Sequence, residues 1–251
     1  MAGTAVSRGL TSRRAWRPAC LVDRRQETSS AQTLVFDVER WPGHVAGQHL
    51  DLRLTAPDGY QATRSYSLAA PAQGTHIEIT VQRTSGGEVS PFLTDALKIG
   101  GVLEVRGPLG GWFIWTPEQP EPVLLVGGGS GVVPLMAMIR ARPPNTTAGF
   151  SLLGSVKSPD DRLYASELEQ IASADDGVAV QWIYTRHANA ADARSPGRLT
   201  GHDLEKYGWS PEVHPTCYVC GPTGFVESAA ELLLAAGHPA SRIRTERFGG
   251  A

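Results

Sequence analysis

Between Ala19 and Leu109 apolar residues recur at alternate positions in short runs: Leu34 to Val38, His49 to Leu54, His76 to Val81 and Val102 to Val105. Alternation of this kind gives a strand one apolar and one polar face. The Gly, Pro and Asp turns between the runs predict an antiparallel barrel or sandwich whose first strand begins near Arg17. One stretch breaks the period and reads as a single short helix from Ser90 to Leu97. Ser90 stands there as N-cap and Pro91 at the first helical position, with Phe92, Leu93, Ala96 and Leu97 as the apolar stripe.

After Pro117-Glu118-Gln119-Pro120-Glu121-Pro122, which suits neither a helix nor a central strand, the pattern changes. Apolar runs now alternate with helical periods: Val123 to Val126 with Val132 to Arg140, Phe150 to Leu153 with Tyr164 to Ala172, and Val178 to Tyr184 with His202 to Tyr207. Cys217 to Val219 is followed by a helix from Gly224 to Ala236 that Gly237 stops, and the chain from Ile243 onward is extended. This order predicts an α/β doubly wound parallel sheet. The expected division is a β-barrel domain over 17–117 and an α/β domain over 121–251.

Composition narrows the function. A net charge of −2 over 251 residues supplies no global attraction to nucleic acid. The apolar run Val123 to Val126 ends in glycines, and none approaches the roughly 20 residues that span a bilayer. Three cysteines, Cys20, Cys217 and Cys220, make no complete disulfide framework, so the expected location is the cytoplasm. Arg8, Arg13, Arg14 and Arg17 without an acid before Ala19 read as a loose basic arm, with an organellar transit peptide as the alternative.

Three segments carry chemistry. Val123-Leu-Leu-Val-Gly-Gly-Gly-Ser-Gly-Val-Val-Pro134 runs from strand through glycines into helix. That path aims backbone N–H groups and a helix dipole at a pyrophosphate, with Gly129, Gly131 and Pro134 at its turn. Arg64-Ser65-Tyr66-Ser67-Leu68 offers a phosphate fork, an aromatic plane and hydroxyl donors; an ordinary sheet strand is the alternative. Gly86-Gly87-Glu88-Val89-Ser90 opens the short helix as a second anion cradle, or as a plain turn with an N-cap. Cys217-Tyr-Val-Cys220 has thiol-pair spacing, but in a strand residues three apart point to opposite faces, and the seven histidines show no ligand spacing. No metal site is assigned.

Arg64-Ser-Tyr-Ser67, Gly87-Glu-Val-Ser90, Gly107-Pro-Leu-Gly110, Gly129 to Pro134, Cys220-Gly-Pro222 and Glu246-Arg-Phe248 occur in the order in which the ferredoxin–NADP reductase superfamily carries them. The chain resembles that superfamily over nearly its whole length. The resemblance implies a flavin-binding barrel, a nicotinamide-binding α/β domain and a reaction cleft between them. Arg64 would hold the flavin pyrophosphate, Tyr66 would lie on the isoalloxazine, Ser67 would bond near its N5, and Leu68 is expected with them among the cofactor-binding residues. Gly87, Val89 and Ser90 would contact the phosphates; Cys220, Gly221 and Pro222 would sit at the nicotinamide; Glu246 and Phe248 would close the site. Ser67, Cys220 and Glu246 are the expected catalytic residues. FAD is the expected cofactor, with FMN the alternative.

The implied reaction carries hydride from NAD(P)H to the flavin and electrons onward to a separate protein such as a ferredoxin, an oxygenase component or a haem protein. Ferredoxin-driven NADP reduction would use the same residues, and a flavin-bound regulatory or electron-transfer subunit is the non-catalytic alternative. No four-cysteine [2Fe–2S] ligand set occurs before Ala251, so an iron–sulfur partner is expected to be another protein. The second strand of the α/β half ends without the acid that binds a free ribose, whereas Thr185-Arg186 resembles the pair that NADP-dependent members place on the 2′-phosphate. With Arg194 and Arg198 following near Asp192, NADPH is expected over NADH; a solvated arginine cluster is the alternative.

Overall fold

Six antiparallel strands form the first half: β1 (Arg17–Thr28), β2 (Ala31–Asp37), β3 (His49–Thr55), β4 (Gln61–Ser67), β5 (His76–Gln82) and β6 (Val102–Leu109), with Val, Ile, Leu and Phe recurring along every strand but β4. The computed structural model describes residues 15–144, 146–174, 177–189 and 194–249. The basic arm before Ala15 and Asp192 lie outside the described residues. The sheet order is β4-β3-β6-β1-β2-β5. It closes into a barrel where Leu68, just past β4, bridges to Ile79 of β5. Leu21, Leu34, Phe36, Leu50, Leu52, Ile77 and Ile79 fill the interior. β4 itself is the strand that hydrophobic alternation shows least, because most of its side chains are exposed or half-buried.

The short helix differs from its expected form. α1 is α-helical over Val89–Pro91 and continues as a π turn over Phe92–Ala96. Glu88, not Ser90, occupies the N-cap position, and no side chain caps it. Ser90 and Pro91 lie inside the helix. The Leu97 N–H bonds Phe92 O, five residues back, at 2.8 Å. That wider turn leaves Leu93, Thr94 and Leu97 buried while Phe92 and Ala96 face outward, so the four-residue stripe does not form.

The second half has β7 (Val123–Gly128), α2 (Val132–Ala141), β8 (Phe150–Val156), α3 (Ala165–Ser173), β9 (Val178–Tyr184), α4 (Gly201–Tyr207), β10 (Thr216–Pro222), α5 (Thr223–Ala235) and β11 (Ile243–Phe248). All pairings are parallel, in the order β11-β10-β7-β8-β9. β7 and β8 are buried at every residue, as a parallel sheet covered on both faces requires. α2 and α3 pack on one face, α4 and α5 on the other. Cys220 belongs to the first core and Cys217 to the second, so the two thiols lie on opposite faces. Strand order reverses between β7 and β10, and the crevice of an open parallel sheet lies at such a switch point. No helix among the described residues is long and apolar enough to cross a membrane.

Candidate functional site

β4 carries the first half of the site. Register against β3 sets Arg64 opposite Leu52, Tyr66 opposite Leu50, Ser65 opposite Asp51 and Ser67 opposite His49. Ser65 donates to Asp51 at 2.6 Å, and Arg106 of β6 donates twice to the same carboxylate, at 2.6 and 3.1 Å. Burial disfavours ionised Asp51, but these hydrogen bonds and the Arg106 charge outweigh it and hold the carboxyl below its ordinary value. The network ties three strands together behind the face that bears Arg64 and Tyr66. Arg64 is exposed, donates to Thr63 O at 2.8 Å and forms no ion pair among the described residues. Tyr66 packs half-buried on the barrel core; burial pushes its hydroxyl up to about 12, so it stays a neutral phenol. Leu68 is core, and its N–H is taken by Gln48 O.

Beside β4, Gly86 sits at φ 75° and lets the chain turn into α1. Ser90 Oγ accepts from Thr84 N at 3.0 Å and Gly87 N–H donates to Thr84 O at 3.1 Å, which folds the loop on itself. Val89 is buried beneath it. A cavity of about 500 Å³ opens at this pole, between the β3–β4 hairpin and α1, with Tyr60, Ala62, Val89 and Phe92 in its wall.

The second half gathers at the switch point. β7 ends at Gly128, a turn over Gly129–Gly131 follows, and α2 begins at Val132 with Pro134 in its first turn. A Cβ on Gly131 would meet Cys220 O at 2.0 Å, and one on Gly128 would meet the Phe225 ring at 2.6 Å. The loop therefore lies directly on the Cys220-Gly221 backbone. Pro222 closes β10 and precedes α5. Gly128, Gly129, Ser130, Ser155, Lys157, Thr185, Pro222, Phe225 and Phe248 line a cleft of about 330 Å³ that Gln82 of β5 closes from the barrel side.

The halves meet at Ser67, which donates to Glu246 Oε1 across 3.3 Å and 179 residues. Glu246 is the register partner of Cys220 on the neighbouring strand. Burial raises the Glu246 carboxyl to about 7 against the Ser67 hydrogen bond, which lowers it. Burial, and then the nearby Glu246, push the fully buried Cys220 thiol up, so it stays protonated. Below about pH 4.5 Glu246 is neutral folded or unfolded; between pH 4.5 and 7 the unfolded chain ionises it while the folded chain keeps it protonated, so stability falls over that range and levels off above. The Glu246→Gln variant should therefore gain melting temperature relative to the parent between pH 4.5 and 7 and hold that gain above. A difference independent of pH would remove the buried-carboxyl reading.

Arginines at the end of β9 divide. Thr185 lines the cleft and exposed Arg186 follows, its N–H bound to Lys157 O. Arg194 instead grips Asp203 at 2.7 and 2.9 Å and donates to the carbonyls of Ser195, Gly197 and Arg198. Asp203 also completes the capping box of α4 with Thr200. The Arg194 guanidinium is thus committed to folding this loop, against the expectation of a phosphate ligand. Lys157 and Phe225 enter the cleft without having been singled out in the sequence. Lys157 could have been found from its place at the carboxyl end of a parallel strand; nothing local marks Phe225.

Residues 18–114 match the family model of an oxidoreductase FAD-binding domain, and residues 125–231 that of an oxidoreductase NAD-binding domain. The chain is 34% identical over 234 residues to the glycine betaine monooxygenase reductase subunit of Pseudomonas aeruginosa, covering 89% of this chain and 62% of that protein. With a flavohemoprotein of Pseudomonas putida it shares 29% identity over 235 residues, covering 92% and 58%. It thus spans about three fifths of the length of these curated relatives. The FAD/NAD-binding domain of a nitric oxide dioxygenase from Vibrio cholerae superimposes with a TM-score of 0.81 at 25% identity, over 93% of this chain and 99% of that one. A ferredoxin NADP+ reductase from Neisseria gonorrhoeae shares the fold at 18% identity and a TM-score of 0.78, covering 92% and 98%.

Proposed function

We propose, for a chain that belongs to the ferredoxin–NADP reductase superfamily of FAD- and NAD(P)-binding oxidoreductases, that it carries electrons from NADPH through FAD to a separate acceptor protein. The observation that carries this reading is the Ser67–Glu246 contact, which brings the flavin strand and the nicotinamide crevice to one cleft. The flavin falls to residues 17–117 and the dinucleotide to 121–251. The residues fit both groups: Arg64 is exposed without an ion pair among the described residues, Tyr66 offers a half-buried ring, and at Gly128 and Gly131 a side chain would collide with Phe225 and Cys220. When bound, the cofactors supply the chemistry: a hydride leaves the nicotinamide for the flavin, and the electrons pass on.

The chain's residues orient and shield. Arg64 and the Gly87 to Ser90 loop bind phosphate, and Tyr66 supplies a stacking plane. With Glu246 protonated, the Ser67 hydroxyl is free to donate at the reacting edge, and Glu246, raised to about 7, holds or releases a proton beside it near neutrality. Cys220 and Phe248 exclude water. The cavity along the face of Ala62 beyond Arg64 has room for adenosine, which supports FAD over FMN. The acceptor is an oxygenase component, a ferredoxin or a haem protein, the first favoured by the likeness to a monooxygenase reductase subunit. The three free cysteines suit the cytoplasm.

The purified protein should be yellow, release FAD on extraction and oxidise NAD(P)H with an artificial acceptor. A colourless, folded protein that binds no added FAD would end this reading. Thr185 and Arg186 support NADPH, since a guanidinium on a phosphate dianion makes charge-assisted bonds. Arg186→Ala should raise the KM for NADPH at least about tenfold and leave that for NADH within about twofold. Equal losses with both cofactors would remove the NADPH assignment alone.

A further inference from the structure

The two domains also meet away from the cleft, at the far end of α2 from its glycine turn. Arg140 leaves the last turn of α2 and reaches the barrel: its Nη1 donates to Ala69 O at 2.9 Å and lies 3.6 Å from Glu78 of β5. Its Nε and Nη2 hold Glu167 of α3 at 2.9 and 2.6 Å. The same guanidinium lies over the ring of Tyr164, 4.8 Å from its centroid, and the Tyr164 hydroxyl shares a hydrogen bond with Thr80 of β5. With 15% of the side chain exposed, Arg140 is largely out of solvent.

What Arg140 holds is the segment that leaves Ser67. Ala69 lies two residues beyond it; the Ala69 N–H donates to Glu78 O at 2.8 Å and its carbonyl accepts from Arg140. Both polar groups of this residue are therefore fixed, one by the barrel and one by the second domain. α2 is a ten-residue rod, buried from Val132 through Ile139, whose other end lies against Cys220. It is packed against β7 and β10, which frame the crevice that carries Glu246.

We propose that Arg140 is a positioning residue that holds Ser67 against Glu246 by tying the end of β4 to the end of α2. A lysine cannot replace it, because one ammonium cannot serve the carbonyl, the bidentate carboxylate and the aromatic face together. The inference rests on the reading of Ser67 and Glu246 as the pair at the reacting ring. A displacement of about 1 Å at a reacting pair costs up to about a hundredfold in rate.

In rapid-mixing experiments on the flavin-loaded full chain, Arg140→Met should slow flavin reduction tenfold to a hundredfold, while the nicotinamide dissociation constant stays within about twofold. In a Ser67→Ala background the same substitution should cost less than about threefold, because the geometry it protects no longer matters. In the flavin-free protein, amide exchange should rise over residues 67–70 and hold elsewhere in the barrel. A wild-type rate, a full loss on top of Ser67→Ala, or exchange rising evenly across the barrel would each overturn the proposal. Should Arg140→Met fail to fold, Arg140→Lys, which keeps charge and bulk but not the fork, carries the same three measurements. If Ser67→Ala alone leaves the rate unchanged, the site reading and this inference fall together. If it slows reduction and the Arg140 variant does not, the inference falls alone.

Discussion

Gly131→Ala is expected to cost about 4 kcal/mol or more of stability, because overpacking against backbone cannot be relieved by a rotamer. The new Cβ would lie 2.0 Å from Cys220 O, 2.4 Å from its carbonyl carbon and 2.8 Å from Gly221 N. β10 cannot retreat, since it is paired on both edges, with β7 and with β11. Relief would require α2 to lift from the switch point, which opens the crevice as well. Gly129 is the control: its φ of 55° penalises a side chain, but nothing lies within 4 Å of the added Cβ. Gly129→Ala should therefore cost only about 1 kcal/mol. Urea unfolding of both variants separates close approach from backbone conformation. A Gly131→Ala midpoint equal to that of the parent would show that the turn before α2 does not lie on the Cys220-Gly221 backbone as described.

Ser67→Ala should slow flavin reduction about a hundredfold with nicotinamide affinity within about twofold, the loss found when one preorganised donor is removed where charge develops. Ser67 reaches this role through its place at the end of β4 and its contact with Glu246 at 3.3 Å. The same contact predicts a direction in pH. The Ser67 hydrogen bond favours ionised Glu246, so removing it lets the carboxyl climb above its value of about 7. Any limb of the pH–rate profile that reports Glu246 should move to higher pH in Ser67→Ala and vanish in Glu246→Gln. Stopped-flow reduction from pH 6 to pH 9 gives both answers; an unchanged rate, or a limb moving to lower pH, would remove Ser67 from the site.

Much of this architecture is written locally. Period-two runs such as His76 to Val81 and buried runs such as Val123 to Val126 declare their own strands, because a side chain's burial follows the period of the element that carries it. The Gly129-Ser-Gly131 turn is equally local: strand, glycines and helix are neighbours in sequence, and so is the path they leave for a phosphate. Ordered motifs then placed Arg64, Tyr66, Ser67, Cys220 and Glu246 in two halves of the chain.

Partnership was decided elsewhere. Nothing near Arg194 in sequence distinguishes a phosphate ligand from a partner of Asp203, and only α4 folding beside it assigns the guanidinium. A π turn shifted the helical phase by a fraction of a turn and put Phe92 outside, a change no period shows in advance. Arg140 reads as an ordinary basic residue in the last turn of a helix, yet one of its partners, the Ala69 carbonyl, lies 71 residues away. By itself the sequence determined the two domains, the strand and helix types and the candidate chemistry, because those follow from residue spacing within one element. Only the tertiary structure decided which charges are paired and where Ser67 meets Glu246, because these contacts depend on strand order and closure and on long-range approach that local periodicity does not encode.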